Sequence, residues 1–175
     1  MVDANVAIRL NNLFCLDLMT WKLPKVELQL AEPEFTGQVL MPKILEFVKG
    51  LRHKSLVVNG DRYSPTSSLH YAQMSFMPDI EILEFGRRLL ALEVKMIRDG
   101  DPSGAFTKSL GQALIYKSLG FDFAHVMLFD CRSQITHAWL SKSTGTLSLP
   151  SGIGVTVFGT SSSENLDIVF QTSPE

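Results

Sequence analysis

Three residues in the stretch MPDIEILEFGRRLLALEVKM, positions 77–96, have the types and spacing to hold a metal ion and a water beside it. Asp79 follows Pro78 at the start of one apolar run, and Glu93 and Lys95 stand two apart in the next. Side chains alternate along a strand, so Glu93 and Lys95 share a face. Asp79 joins them if the two runs pair as a hairpin. Two carboxylates meeting at one point make a hard oxygen site suited to Mg²⁺ or Mn²⁺. A lysine beside them does not compete for the metal. It can align an attacking water or neutralise charge on a phosphate.

The elements that must position these residues can be read from period and turn chemistry. DIEILEF (79–85) and LLALEVKM (89–96) alternate and predict a β-hairpin turning at Gly86-Arg87-Arg88. On the second arm Leu90, Leu92, Val94 and Met96 take one face, and Leu89, Ala91, Glu93 and Lys95 the other. Residues 35–51 have helical spacing, with regular helix expected to start near Pro42. Residues 59–68 and 98–104 read as loops, and 105–119 as a helix stopped by Gly120. AHVMLFD (124–130) reads as a buried strand, and ITHAWL, VTVFG and LDIVFQ as strand candidates near the C-terminus. Residues 1–32 fit either strand or helix. The expectation is one α/β domain spanning 1–175: a central mixed β-sheet flanked by helices, its core at about 35–130, with 1–32 and 133–175 as additions.

Pro78-Asp79 and Glu93-Val94-Lys95, set on a hairpin followed by a helix and a strand, resemble the PD-(D/E)xK nuclease superfamily. The resemblance implies a restriction-endonuclease-like core with extra C-terminal strands. It implies that Asp79 and Glu93, with the Val94 backbone carbonyl, hold the catalytic metal and that Lys95 assists the water. Gln112 and Tyr116, spaced i, i+4 on the next helix with Lys108 one turn earlier, are similar to the Gln-x-x-x-Tyr face of the RecB-like branch. That similarity implies that Gln112 and Tyr116 position the lysine or the nucleic-acid strand. Some members carry a metal-touching glutamate on the first helix. Glu46 is the candidate here, although pairing with Lys43 or Lys49 is the simpler reading.

Composition sets the outer limits. An apolar fraction of 45% and a charged fraction of 19% over 175 residues exclude wholesale disorder and allow a core without metal or disulfide staples. No uncharged apolar run is long enough to span a membrane, and no signal peptide is evident at the N-terminus. Cys15 and Cys131 make no CxxC pair and point to an intracellular, reducing location, cytoplasm or nucleoid or nucleus. His53, His70, His125 and His137 show no ligand spacing, and His125 reads as a core residue. The net charge of -2 speaks against bulk-charge binding of nucleic acid but permits a local basic groove. Arg87, Arg88, Arg98, Lys108 and Lys117 are the candidate phosphate contacts, because beyond residue 133 the only basic residue is Lys142. The expected function is metal-dependent hydrolysis of nucleic acid, DNA before RNA. The alternative is a non-catalytic nucleic-acid-binding or assembly subunit on the same scaffold. A homodimer is one way for so small a nuclease to cut two strands.

Overall fold

The alternating run that carries Glu93 and Lys95 forms the longest of the described strands, in the interior of the sheet. In the structure, a computed structural model describing residues 4–24, 29–51, 55–60, 62, 64–132, 137–144, 147–160 and 165–172, this strand is β6 (Arg87–Ile97). Before it come α1 (Ala4–Leu18), β1 (Leu23–Pro24), α2 (Glu32–Phe35), a π-helical turn (Thr36–Leu40), α3 (Met41–Gly50), β2 (Leu56–Asn59), β3 (Leu69–Tyr71), β4 (Met74–Phe76) and β5 (Ile80–Glu84). After it come α4 (Pro102–Ser118), β7 (Phe123–Asp130), α5 (His137–Thr144), β8 (Ile153–Thr160) and β9 (Asn165–Thr172). Seven strands form one mixed sheet in the order β1-β9-β8-β7-β6-β5-β2. β6, β7 and β8 run parallel, and the other pairings are antiparallel. β3 and β4 form a separate two-stranded ribbon.

Both faces of the sheet are covered, as its parallel centre requires. Leu10, Phe14 and Leu18 of α1 and Phe35, Leu40 and Ile44 of the second helical segment pack on Leu90, Leu92 and Val94. Phe106, Ala113 and Tyr116 of α4 and Leu140 of α5 pack on Ala91, Val126 and Val155 across the sheet. The protein is therefore α/β, a central mixed sheet flanked by helices. Among the described residues no helix is long and apolar enough to cross a membrane. Burial pushes the Cys15 and Cys131 thiols up to about 11, so neither is a reactive thiolate at neutral pH.

Several local expectations are corrected. The hairpin turns at Phe85-Gly86, both at positive φ (47° and 77°), and Arg87 and Arg88 already lie in β6. A two-residue turn of this hand matches the twist of the strands it joins. A bulge then leaves Leu89 between Arg88, which pairs with Leu83, and Leu90, which pairs with Ile82. Leu89 therefore joins the same core as Leu90 instead of the face of Glu93. The helix expected over 35–51 reaches back to Glu32, three residues earlier. Pro33 sits in its first turn, a π-helical turn accommodates Pro42, which has no N–H to donate, and regular α-helix starts at Met41, beside Pro42 as expected. Helix α4 starts three residues before 105, capped by Asp101, whose carboxylate accepts from the Ser103 and Gly104 amides at 3.0 Å each. His137–Leu140, part of the ITHAWL strand candidate, is helical in α5, where Trp139 donates to Asp130 at 3.0 Å; residues 135 and 136 lie outside the described residues.

Phe85 is 81% exposed and holds a left-handed backbone without glycine or asparagine. Phe85→Asn should raise stability by about 0.5–1 kcal/mol, read as a higher thermal midpoint with an unchanged far-ultraviolet spectrum.

Candidate metal and phosphate site

Strand β5 leaves β6 early. Ile80 pairs with Leu92, and the Asp79 amide donates to the Leu92 carbonyl at 3.1 Å. Continuing the register would put Pro78 opposite Val94, and a proline has no N–H to give. From Val94 onward β6 is thus an open edge on this side, while its other side stays paired with β7 through Ile97. Side-chain carboxylates take over the ladder. Asp79 Oδ2 accepts from the Val94 amide at 2.7 Å, and Glu32 Oε2 accepts from the Met96 amide at 2.8 Å. Gly60 holds the neighbouring loop against this point: a Cβ there would come within 2.7 Å of the Asp79 carbonyl oxygen. Only glycine permits that approach.

Glu93 and Lys95 flank Val94 and share a face by alternation. Lys95 Nζ donates to Glu32 Oε1 at 2.7 Å, so Glu32 grips the strand through one backbone amide and one side chain. Arg98 secures the entry to α2 by donating to the Gln29 and Leu30 carbonyls. Beneath Glu93 lies Tyr116 of α4. Its hydroxyl is 2.8 Å from Glu93 Oε2 and 3.0 Å from the Met77 carbonyl. Gln112, one turn back on α4, lies near enough to this hydroxyl to favour its ionised form, against the effect of burial and of Glu93. The residues singled out from sequence thus converge: Asp79, Glu93, Lys95 and Tyr116 form one cluster, and Gln112 buttresses it.

The cluster is short of positive charge. Burial first, and then the charge of Asp79, raises the Glu93 carboxyl to about 8, against the pull of Tyr116 and Lys95. Burial likewise raises Asp79 to about 6, despite its bond from the Val94 amide. Tyr116 is held above its ordinary range by burial and by Glu93. Three carboxylates, those of Glu32, Asp79 and Glu93, face the single ammonium of Lys95. A divalent cation would restore balance, and the donors suit Mg²⁺ or Mn²⁺: two carboxylates and the Val94 carbonyl on the open edge, all hard oxygens. Among the described residues no three His, Cys, Asp or Glu side chains close into a preformed metal cluster, so such an ion would keep several waters, as Mg²⁺ commonly does.

Other candidates fall elsewhere. Glu46 is exposed and lines a groove between α1 and α3 with Leu13, Trp21 and Lys43. It follows inward-facing Ile44 by two residues, which turns it away from the sheet, and it lies fourteen residues from Glu32, roughly 20 Å along the helical axis. Glu32 takes the place expected of Glu46. The signal was the Glu-Pro pair with Glu34, an acidic first turn with proline near its start. Most of the expected phosphate contacts are engaged by the protein itself. Arg87 pairs with Asp122 at 2.8 Å, Arg88 donates to the Leu119 carbonyl, and Lys117 to the Asp122 carbonyl. These groups sit at the hairpin end, with Arg87 six residues from Glu93, roughly 20 Å along β6. Exposed Lys108 stays on the Gln112 side of α4. His125 is a core residue, bonded through Nε2 to Thr156 Oγ1 at 2.8 Å and kept neutral by burial, at about 3.

No protein-family model matches the chain, and no curated protein matches it.

The raised carboxyls predict an unusual pH dependence. The native state holds the Glu93 proton more tightly than the unfolded chain, so stability is full below about pH 4.5 with respect to this group and is lost as pH rises through about 8. The metal-free protein should lose on the order of 3 kcal/mol across that window, measured by urea unfolding at several pH values. Glu93→Gln should flatten the slope. A wild-type slope of the opposite sign would show that Glu93 ionises easily.

Proposed function

We propose that this protein is a metal-dependent nuclease of the PD-(D/E)xK type, hydrolysing phosphodiester bonds in nucleic acid, DNA before RNA. The observation that carries the reading is the meeting of Asp79, Glu93 and Lys95 on the open edge of β6, with Tyr116 and Gln112 below them. Motif spacing alone does not require that meeting. The topology around it, a helix, an antiparallel pair, a helix and a parallel strand, is also what a restriction-endonuclease-like core would need.

Each residue then has a part. Asp79 and Glu93, with the Val94 carbonyl, would hold Mg²⁺ or Mn²⁺. Such an ion lowers the pKa of water and offsets charge on a phosphate. Asp79 stays oriented because the Val94 amide fixes one of its oxygens. Lys95 presents its ammonium where a water or phosphate oxygen approaches, and Glu32 keeps that long side chain in place. Tyr116 orients Glu93, and Gln112 stands beside the Tyr116 hydroxyl.

Cleavage of single-stranded, duplex and branched DNA with Mg²⁺ or Mn²⁺ tests the reading. Glu93→Gln and Lys95→Ala should each lower the rate by at least about a hundredfold. Asp79→Asn should do the same while keeping an acceptor for the Val94 amide; Asp79→Ala should in addition lose about 1–2 kcal/mol of stability. A readout independent of turnover is the thermal midpoint. Mg²⁺ should raise it in the wild type, more at pH 8 than at pH 5, and should not raise it in Glu93→Gln. Metal-independent DNA binding without any cleavage would favour the assembly-subunit alternative.

A further inference from the structure

We infer that the β3–β4 ribbon is a stacking platform for an unpaired base, so that the substrate is a nucleic acid with single-stranded character next to the scissile phosphate. The inference rests on the nuclease reading and specifies its substrate class. Leu69 pairs with Phe76 and Tyr71 with Met74, so these four side chains share one face of the ribbon. At the base of the ribbon, Leu69 and Phe76 pack into the α4-side core. At its tip the same face runs beyond the body of the protein, leaving Tyr71 49% and Met74 54% exposed. Met77, where the ribbon leads to Asp79, is 52% exposed.

This overhang is fixed relative to the site at both of its roots. On the exit side, the Met77 carbonyl shares the Tyr116 hydroxyl with Glu93. On the entry side, buried Glu81 accepts from the Ser67 amide at 2.8 Å and the Ser67 hydroxyl at 2.9 Å. The tip lies three residues from Met77, roughly 10 Å along the strand, within reach of a nucleotide adjoining one held at Asp79 and Glu93. Its turn is Ala72-Gln73, both in the left-handed region (49° and 67°) with no glycine to relieve it. That conformation keeps the ribbon tight and the Tyr71 and Met74 side chains paired.

The chemistry favours a base over an apolar protein surface. Between Asp61 and Asp79 the sequence contains no Asp or Glu and carries Arg62 and His70, so a polyanion meets no repelling charge along this segment. The opposite face of the ribbon is polar, with His70, and with Ser75 bonded to Ser68 at 2.8 Å. An aromatic ring and a thioether side by side offer a flat, polarisable surface to any base. In a duplex the base faces are already stacked, so only an unpaired or splayed strand can use it.

Fluorescence anisotropy with a labelled oligothymidylate and a labelled hairpin duplex, in Ca²⁺ to hold back cleavage, tests the inference on the full chain. Tyr71→Ala should weaken single-strand binding by about tenfold or more and leave duplex binding unchanged. Tyr71→Trp should restore it, with the new indole quenched on adding the oligonucleotide. Tyr71 is exposed, so both variants should fold; matching melting curves check this. If the wild type cleaves DNA and Tyr71→Ala binds single strands as tightly as wild type, the platform is refuted and the nuclease reading stands. If the wild type neither binds nor cleaves any nucleic acid, both fall. A wild-type dimer in sedimentation that Tyr71→Ala dissociates, with single-strand affinity unchanged, would assign the face to a second copy and overturn the inference.

Discussion

Everything at the candidate site depends on the point where β5 parts from β6. A central strand normally hides its backbone on both sides. Here one side is abandoned after Leu92, and the amides of Val94 and Met96 are left without strand partners. Buried amides cannot stay unpaired without a cost of about 1–3 kcal/mol each. Asp79 and Glu32 accept them, and this obligation, local and structural in origin, is what brings two carboxylates to the strand that carries Glu93 and Lys95. A sheet edge has become a set of positioned acids. Pro78 enforces the parting, because the residue that would continue the ladder cannot donate.

The second consequence is electrostatic. The acids are set in a part of the sheet where water is scarce, and one lysine does not balance them. Glu93 is the residue that registers the shortage, since it is buried and its one strong partner is a neutral hydroxyl. A purely structural cluster would be expected to recruit another cation, and the chain has them nearby in sequence. Yet Arg87 and Arg88 are tied down at the far end of β6 by Asp122 and the Leu119 carbonyl, and Arg98 is used to hold the approach to α2. Contrast Asp130: it is equally buried, yet bonds from Arg132 and Trp139 outweigh burial and hold its carboxyl below the ordinary range. At Asp130 the protein neutralises a buried acid with its own arginine. Leaving Glu93 unneutralised is the arrangement a cation-dependent site needs.

Strand alternation made much of this legible. The pair Glu93 and Lys95 had to share a face, and an apolar strand bearing two charges on one side had to put them somewhere useful. The partner acid Asp79 followed from a hairpin, although the turn itself was misplaced by a residue or two because Arg-Arg looked more like a turn than Phe85 did. The bulge at Leu89 was invisible, since nothing in Leu-Leu distinguishes a paired residue from an extra one. Glu32 was missed for a different reason. Pro42 does mark where regular α-helix begins, but a π-helical turn lets the helix extend back through Pro33 to Glu32, ahead of the apolar spacing that starts at Phe35. The ribbon at 69–76 is too short and too mixed in character to stand out from its loop by periodicity. In α5, tertiary bonds and burial of Leu140 outweighed a sequence that looks strand-like.

Tyr116 ties these parts together through a single proton. Its hydroxyl lies between two acceptors, Glu93 and the Met77 carbonyl, and can donate fully to one of them at a time. With Glu93 neutral, the carboxyl O–H can donate to the tyrosine oxygen, and the tyrosine proton serves Met77. With Glu93 ionised, the same proton is drawn to the carboxylate, because a bond to a charged acceptor is roughly twice as strong. The Met77 carbonyl then loses its donor. The charge on the buried glutamate is thus coupled, across one side chain, to the anchorage of the ribbon that precedes Asp79. The helix that carries Tyr116 packs on both β6 and β7, so the coupling joins the interior of the sheet to the segment that leads from the ribbon into Asp79.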